Sequence, residues 1–223
     1  MQIELQDISK TFHTPSRTVY AVRNANLIIP DGKTVGILGA SGSGKSTLGQ
    51  ILVGLQRQDS GKLLIDGQIA AYPYRGELRR KIQILFQHPE VSFNPRLTLL
   101  QSLREPYSLR KLPFSRQELC TRMEAFGLYD EHLNRYPSEL SGGELQRAAL
   151  LRILVLEPEF IVLDEPTSML DSISRAQIIR MLQALQKEKK FTYLFITHHT
   201  QLAEMVCDDL YTMQEGTLCK IEK

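Results

Sequence analysis

No run of apolar residues in this chain reaches the roughly 18 that a membrane-crossing helix needs. The longest candidate, Ala148 to Leu156, is broken by Arg152, so a soluble chain is expected. The opening residues, Met1-Gln2-Ile3-Glu4-Leu5, lack the basic-then-apolar build of a secretory leader. Cysteine is scarce: Cys120, Cys207 and Cys219 are scattered and match no metal-ligand spacing, which fits a reduced, cytosolic protein. Charge of either sign is nearly balanced at +2, which removes any bulk electrostatic case for nucleic acid or a polybasic membrane anchor. Internal repeats and low-complexity segments are absent as well. What remains is a chain of 223 residues, 42% hydrophobic, long enough for one large or two small globular domains with a real core.

Against that background one stretch carries chemistry: Gly39-Ala40-Ser41-Gly42-Ser43-Gly44-Lys45-Ser46-Thr47. It follows the apolar run Thr34-Val35-Gly36-Ile37-Leu38 and precedes a helical pattern with Leu48, Ile51, Leu52 and Leu55 on one face. Strand, glycine loop and helix form the context of a G-x-x-x-x-G-K-[ST] phosphate loop. Glycines let consecutive backbone N–H groups turn inward around a polyphosphate, and the helix aims its positive end at the same anion. Lys45 is expected to reach the β- and γ-phosphates and Ser46 to ligate Mg²⁺. A Gly/Ser linker would not be framed by a buried strand and an amphipathic helix.

The flanks read as β-rich. Strands are expected around residues 2–9 and 19–29, with a turn at His13-Thr14-Pro15-Ser16-Arg17 between them and a further strand at 62–65. A short strand at 81–86 stops at Gln87-His88-Pro89. From Glu90 to Tyr136 the pattern is helical, with Pro95, Pro106 and Pro113 spaced as helix breaks and an amphipathic segment from Ser115 to Phe126. A helix is expected to start at Ser141, with Glu144 at capping-box spacing, and to end at Pro158. Phe160-Ile161-Val162-Leu163 suits a strand covered on both faces and ends at Asp164-Glu165. A helix from Ser172 to Lys190 turns Ile178, Leu182 and Leu185 inward. A strand then ends at His198-His199, and a short helix and a hairpin with its turn at Gln214-Glu215-Gly216 close the pattern.

Phosphate loops serve kinases, GTPases and helicases alike, so the downstream residues decide. Asp164-Glu165 after four apolar residues, about 120 residues beyond the loop, makes a Walker B strand, with Asp164 on Mg²⁺ and Glu165 as general base. Leu140-Ser141-Gly142-Gly143-Glu144-Leu145-Gln146-Arg147 lies just before it. Two glycines in a first helical turn cost about 1 kcal/mol each relative to alanine, which an ordinary capped helix does not explain.

This octapeptide resembles the signature of ATP-binding-cassette (ABC) ATPases, in the place where that family carries it. The resemblance covers essentially the whole chain. It implies an α/β fold: a RecA-like core with an N-terminal antiparallel β portion, and an inserted helical subdomain carrying the signature. The expected division is a single ABC ATPase domain over 1–223, with core at 1–88 and 151–223 and subdomain at 89–150. It further implies that two such domains pair head to tail, each closing Ser141, Gly142, Gly143 and Glu144 over the partner's ATP. Phe12 matches the aromatic that stacks on adenine, Tyr20 being the second candidate. Gln87 matches the Q-loop glutamine on Mg²⁺ and the attacking water, Ser168-Met169-Leu170-Asp171 the D-loop, and His198 the switch histidine. A metal pair at His198-His199 is the rival reading, disfavoured because adjacent residues on a strand point opposite ways.

Within the family, Phe86-Gln87-His88-Pro89 followed by Ser92-Phe93-Asn94-Pro95-Arg96 resembles the branch that energises oligopeptide, dipeptide and nickel importers. Three departures stand out: Glu144 for the usual signature glutamine, Met169 for a small D-loop residue, and His199 where an acidic residue is common. None removes a catalytic group. The short C-terminus favours nickel- or metallophore-type subunits over longer oligopeptide ones. The implied partners are a second ABC ATPase subunit, identical or related, an integral membrane permease and, indirectly, an extracytoplasmic substrate-binding protein. The implied cofactors are ATP and Mg²⁺, and the implied location is the cytoplasmic face of the membrane. Apolar residues between Val91 and Leu103 are expected partly to build a local core and partly to receive a permease helix. The rival functions are an exporter ATPase, a non-transport ABC ATPase of translation or DNA maintenance, and a monomeric phosphate-loop kinase.

Overall fold

The computed structural model describes residues 1–15, 17–168 and 170–222. The expected turn at 13–17 and the D-loop residue Met169 therefore fall partly outside the described residues. The chain separates into two compact units. The first comprises Met1–Ile84, Glu159–Glu165 and Gln183–Lys223, and the second comprises Leu85–Pro158 and Pro166–Leu182.

The first unit holds two sheets. Strands β1 (Ile3–Thr14), β2 (Arg17–Ile29), β4 (Ser60–Ile65) and β5 (Gln68–Ile69) form an antiparallel sheet in the order β2-β1-β4-β5. Alternation along β1 turns Ile3 and Leu5 into the core, and a bulge at Asp7 (φ +52°) shifts the phase so that Ile8 follows them. The second sheet runs β10-β9-β3-β8-β7-β6, built from β3 (Thr34–Leu38), β6 (Ile82–Leu85), β7 (Phe160–Asp164), β8 (Thr192–Thr197), β9 (Asp209–Gln214) and β10 (Thr217–Lys220). Strands β9, β3, β8 and β7 are mutually parallel, and β10 joins the edge as the antiparallel arm of the β9–β10 hairpin. Every residue of β3, β7 and β8 is buried, which is why their sequences are continuous apolar runs without alternation. Helix α1 (Lys45–Leu52) packs on β7 and β8, where Gly49 lets the backbone approach Val162 and Ile196. It stops three residues before Leu55, which is exposed instead of continuing the inward face. Helices α2 (Gly76–Lys81) and α7 (Thr200–Val206) also belong to this unit.

The second unit is helical: α3 (Leu99–Leu109), α4 (Arg116–Ala125), α5 (Gly142–Leu154) and the first part of α6 (Ser172–Lys189). Both α3 and α4 pack on α5. Pro106 was expected to break a helix but lies inside α3. Proline in a helix interior costs roughly 3 kcal/mol, and burial of Leu99, Leu103 and Tyr107 on the same helix outweighs it. Of the amphipathic segment at 115–126, α4 buries Leu119 and Met123, one turn apart. On α6 the buried residues are Ile178, Ile179 and Leu182, while Leu185 is only half-buried. Phe93 joins the local core, with the Arg152 guanidinium 5.7 Å from its ring centre and bonded to the Ser92 carbonyl and, at 2.6 Å, to Glu105. Val91 is exposed and Leu97 and Leu100 half-buried. Among the described residues no helix is long and apolar enough to cross a membrane.

Candidate active site

Strand order places the chemistry. β3, β8 and β7 are neighbours and parallel, so the segments leaving their carboxyl ends meet at one edge of the sheet, where open α/β sheets hold ligands. Those segments are the phosphate loop after Leu38, His198 after Thr197, and Asp164-Glu165 at the end of β7.

The loop is braced from behind. Ser43 N donates to the Ala40 carbonyl at 3.2 Å, and the Ser43 carbonyl accepts the Gly216 N–H at 2.9 Å. Gly216, in the β9–β10 turn, in turn accepts the Arg23 N–H at 2.8 Å. The hairpin thus carries the loop on its back, a role that nothing in the phosphate-loop motif itself signals. A Cβ on Gly39 would sit 2.4 Å from the Met213 carbonyl, so a side chain there would displace the loop. Beside the loop runs a groove of about 730 Å³ lined by Arg23, residues 39–43 and the hairpin.

Lys45 is buried, and its ammonium donates to the carbonyls of Gly39 and Ala40, both at 2.8 Å. Burial pulls its pKa down, and the charges of Glu165 and Asp164 oppose that pull. The Ser46 hydroxyl donates to Asp164 Oδ1 at 3.2 Å, closing the 118-residue gap between the two motifs. Burial also raises the Asp164 carboxyl above its ordinary value, against the bond from Ser46, and Glu165 beside it adds to the rise. A hydroxyl and a buried carboxylate so placed form an all-oxygen donor pair suited to a hard divalent cation such as Mg²⁺.

Glu165 has a backbone φ of +45°, in the left-handed region that non-glycine residues rarely occupy, and its N–H donates to the Ile196 carbonyl at 2.9 Å. The bend aims its carboxylate at His198, whose Nδ1 lies 2.8 Å from Glu165 Oε2; a carboxylate only accepts, so the proton sits on Nδ1. The rings of His198 and His199 lie 4.0 Å apart, which corrects the expectation that they diverge. β8 ends at Thr197 and His199 already caps α7, so strand alternation no longer governs the pair. Among the described residues no group of three or more His, Cys, Asp or Glu is placed to hold a metal ion.

Phe12 and Tyr20 stand on adjacent strands, β1 and β2, and both are exposed. The Lys10 ammonium lies 5.4 Å from the Phe12 ring centre and is anchored by Asp59 at 2.7 Å, while the Arg23 guanidinium lies 4.7 Å from the Tyr20 ring. Each ring is thus backed by a cation.

The second unit holds the other expected residues. Gln87 is half-buried just past β6. At the start of α5 the Ser141 hydroxyl accepts the Glu144 N–H at 3.3 Å and donates to Glu144 Oε2 at 2.8 Å, which also accepts the Ser141 N–H: a complete capping box. A Cβ on Gly143 would meet Ser174 Oγ and Arg147 Nη1 at 3.3 Å. Asp171 caps α6, accepting the N–H groups of Ile173 and Ser174, and the bonds from Ser174 lead in lowering its pKa.

The model of the ABC transporter family matches residues 22–168. The chain belongs to the ABC transporter family. The oligopeptide transport ATP-binding protein OppF of Streptococcus pyogenes serotype M1 is 38% identical to it over 98% of the chain and 74% of OppF. OppF of Bacillus subtilis is equally similar, and AmiF of Streptococcus pneumoniae, also an oligopeptide transport ATP-binding protein, is 36% identical over the same shares. The solved structure of the ATP-binding cassette MJ0796 bound to ADP and Pi superposes with a TM-score of 0.86 at 29% identity, covering 99% of both chains. This cassette is therefore an ABC-type ATPase with the ABC ATPase fold, and it is the ATP-binding subunit of an ABC transporter.

Proposed function

We propose that this cassette powers import of peptides through a separate membrane permease, peripheral to the membrane and paired with a second ABC ATPase subunit. The observation that carries the substrate class is similarity to proteins named for oligopeptide transport along 98% of the chain. Nickel or metallophore import is the second reading, ranked below peptide import because the similar proteins are named for oligopeptide transport.

In this reading the loop N–H groups and Lys45 bind the ATP phosphates. Ser46 and Asp164 would hold Mg²⁺, with Gln87 as a further ligand, and the bound cation would supply charge neutralisation at the phosphates. Glu165 takes a proton from the water that attacks the γ-phosphorus as the bond to ADP breaks. The His198 Nδ1–H fixes that carboxylate, and the other ring nitrogen donates to the γ-phosphate in the imidazolium form, where both nitrogens carry protons. Ser141, Gly142 and Gly143 meet the partner's nucleotide, with Glu144 beside them in the signature, and Asp171 lies in the loop that orders the pairing. The helical subdomain, taken as 89–150, carries the signature. Val91, Leu97 and Leu100 remain as residues for a permease helix, whereas Phe93 is assigned to the core.

The test is co-purification of the tagged cassette with an integral membrane protein, followed by uptake of labelled peptide and of Ni²⁺ by cells with and without the cassette. Loss of peptide uptake alone supports the reading; loss of Ni²⁺ uptake alone moves it to the second. For the nucleotide contact, Phe12→Ala should weaken ATP binding by roughly 1–3 kcal/mol in calorimetric titration, with Tyr20→Ala near neutral. The reverse ranking would reassign the adenine contact to Tyr20.

A further inference from the structure

Behind the signature lies a residue that its motif does not include. His132, on the 3-10 turn Asp130–Asn134, is only 4% exposed. Its Nε2 lies 3.1 Å from Glu144 Oε1, and its Nδ1 lies 2.8 Å from the Tyr129 N–H. The carboxylate accepts only, so Nε2 carries the proton, and Nδ1 is then the acceptor that the Tyr129 amide needs. One neutral tautomer satisfies both bonds, and the Tyr129 ring, 5.9 Å away and tilted by 30°, flanks the imidazole. Glu144 therefore divides its oxygens: Oε1 faces His132, and Oε2 takes both the N–H and the O–H of Ser141.

The arrangement answers a problem that the sequence creates. Glu144 stands where the signature of this family usually carries a neutral glutamine. A carboxylate in the first turn of a helix is attracted to the same unpaired N–H groups that would bind an anion. A mobile Glu144 would compete with a phosphate for the amides of Gly142 and Gly143, and would repel it. We propose that His132 is a positioning residue for the signature: its Nε2–H holds Glu144 back on Ser141, keeping the carboxylate off the phosphate-binding face of α5. This rests on the reading of Ser141 to Gly143 as the contact to the partner's ATP.

The ordinary alternative is a histidine that only fills the core. The two separate through the charge on Glu144, since a glutamine at 144 needs no restraint. Steady-state Mg·ATP hydrolysis is measured on the full chain with whatever subunits co-purify. His132→Ala should lower kcat about tenfold, the order expected for a displaced catalytic contact, with KM for ATP little changed. His132→Ala combined with Glu144→Gln should recover to within about twofold of Glu144→Gln alone, a suppression that lost packing does not give. Thermal melting serves as the folding control. If His132→Ala does not fold, His132→Met keeps the volume without the N–H and replaces it in both measurements. No loss of kcat in the single variant, or no recovery in the double, overturns the proposal. Ser141→Ala serves as the separate control: if it leaves kcat unchanged, the signature reading itself fails, whereas a loss there with a silent His132 variant leaves that reading standing and removes only the role of His132.

Discussion

Replacing Glu165 with glutamine is expected to leave ATP binding intact and to cut hydrolysis by about 10²- to 10⁴-fold, the range for loss of a general base. The geometry makes the prediction specific. Glu165 is held by a left-handed backbone and by the His198 Nδ1–H at 2.8 Å, so the chain itself orients its carboxylate. Glutamine keeps that shape and still offers an oxygen to His198, but it cannot take a proton. A second variant separates orientation from basicity: His198→Ala leaves the base in place but unheld, and its loss should be smaller than that of Glu165→Gln if proton removal is Glu165's main contribution. The measurement is phosphate release by the assembled complex, with nucleotide affinity followed by fluorescence titration. Turnover near wild type in Glu165→Gln would show that the water loses its proton elsewhere.

Much of this site was legible because its motifs sit where strand topology needs them. An apolar run gave β7 as a covered parallel strand, the runs at β3 and β8 gave strands, and each ends at the motif that the sequence marked, bringing Ser46 to within 3.2 Å of Asp164. What stayed hidden depended on side-chain direction past the end of regular structure. His198 and His199 leave the strand together, so period-two alternation misjudged them. Pro106 carried a strong local signal for a break, yet it yields to the apolar face that α3 buries. His132 was invisible for a different reason. A lone histidine in a polar turn has no motif, and only the fold brings its ring to Glu144, twelve positions on.

The bracing of the phosphate loop was equally hidden, and it yields the largest expected effect on stability. Gly44 and Gly42 both have positive φ, at 110° and 78°, so backbone conformation alone treats them as equivalent. Their surroundings differ. A Cβ on Gly42 would meet nothing within 4 Å, whereas one on Gly44 would lie 2.0 Å from the Ala21 carbonyl oxygen and 2.9 Å from Met213 Cε. Gly42→Ala should therefore cost only the left-handed backbone term, about 1–2 kcal/mol. Gly44→Ala adds to its backbone strain, of order 1–3 kcal/mol, an overpacking cost of about 1–3 kcal/mol. The Ala21 carbonyl cannot easily retreat, because it belongs to β2, and the Arg23 N–H two residues on is bonded to Gly216, whose own N–H holds Ser43. Since a domain is stable by only about 5–15 kcal/mol, Gly44→Ala should remove a large share of the total while Gly42→Ala removes little. Urea unfolding of the nucleotide-free chain checks this directly. Equal losses for the two variants would mean that the loop moves away from β2 at little cost, and that the hairpin does not brace it.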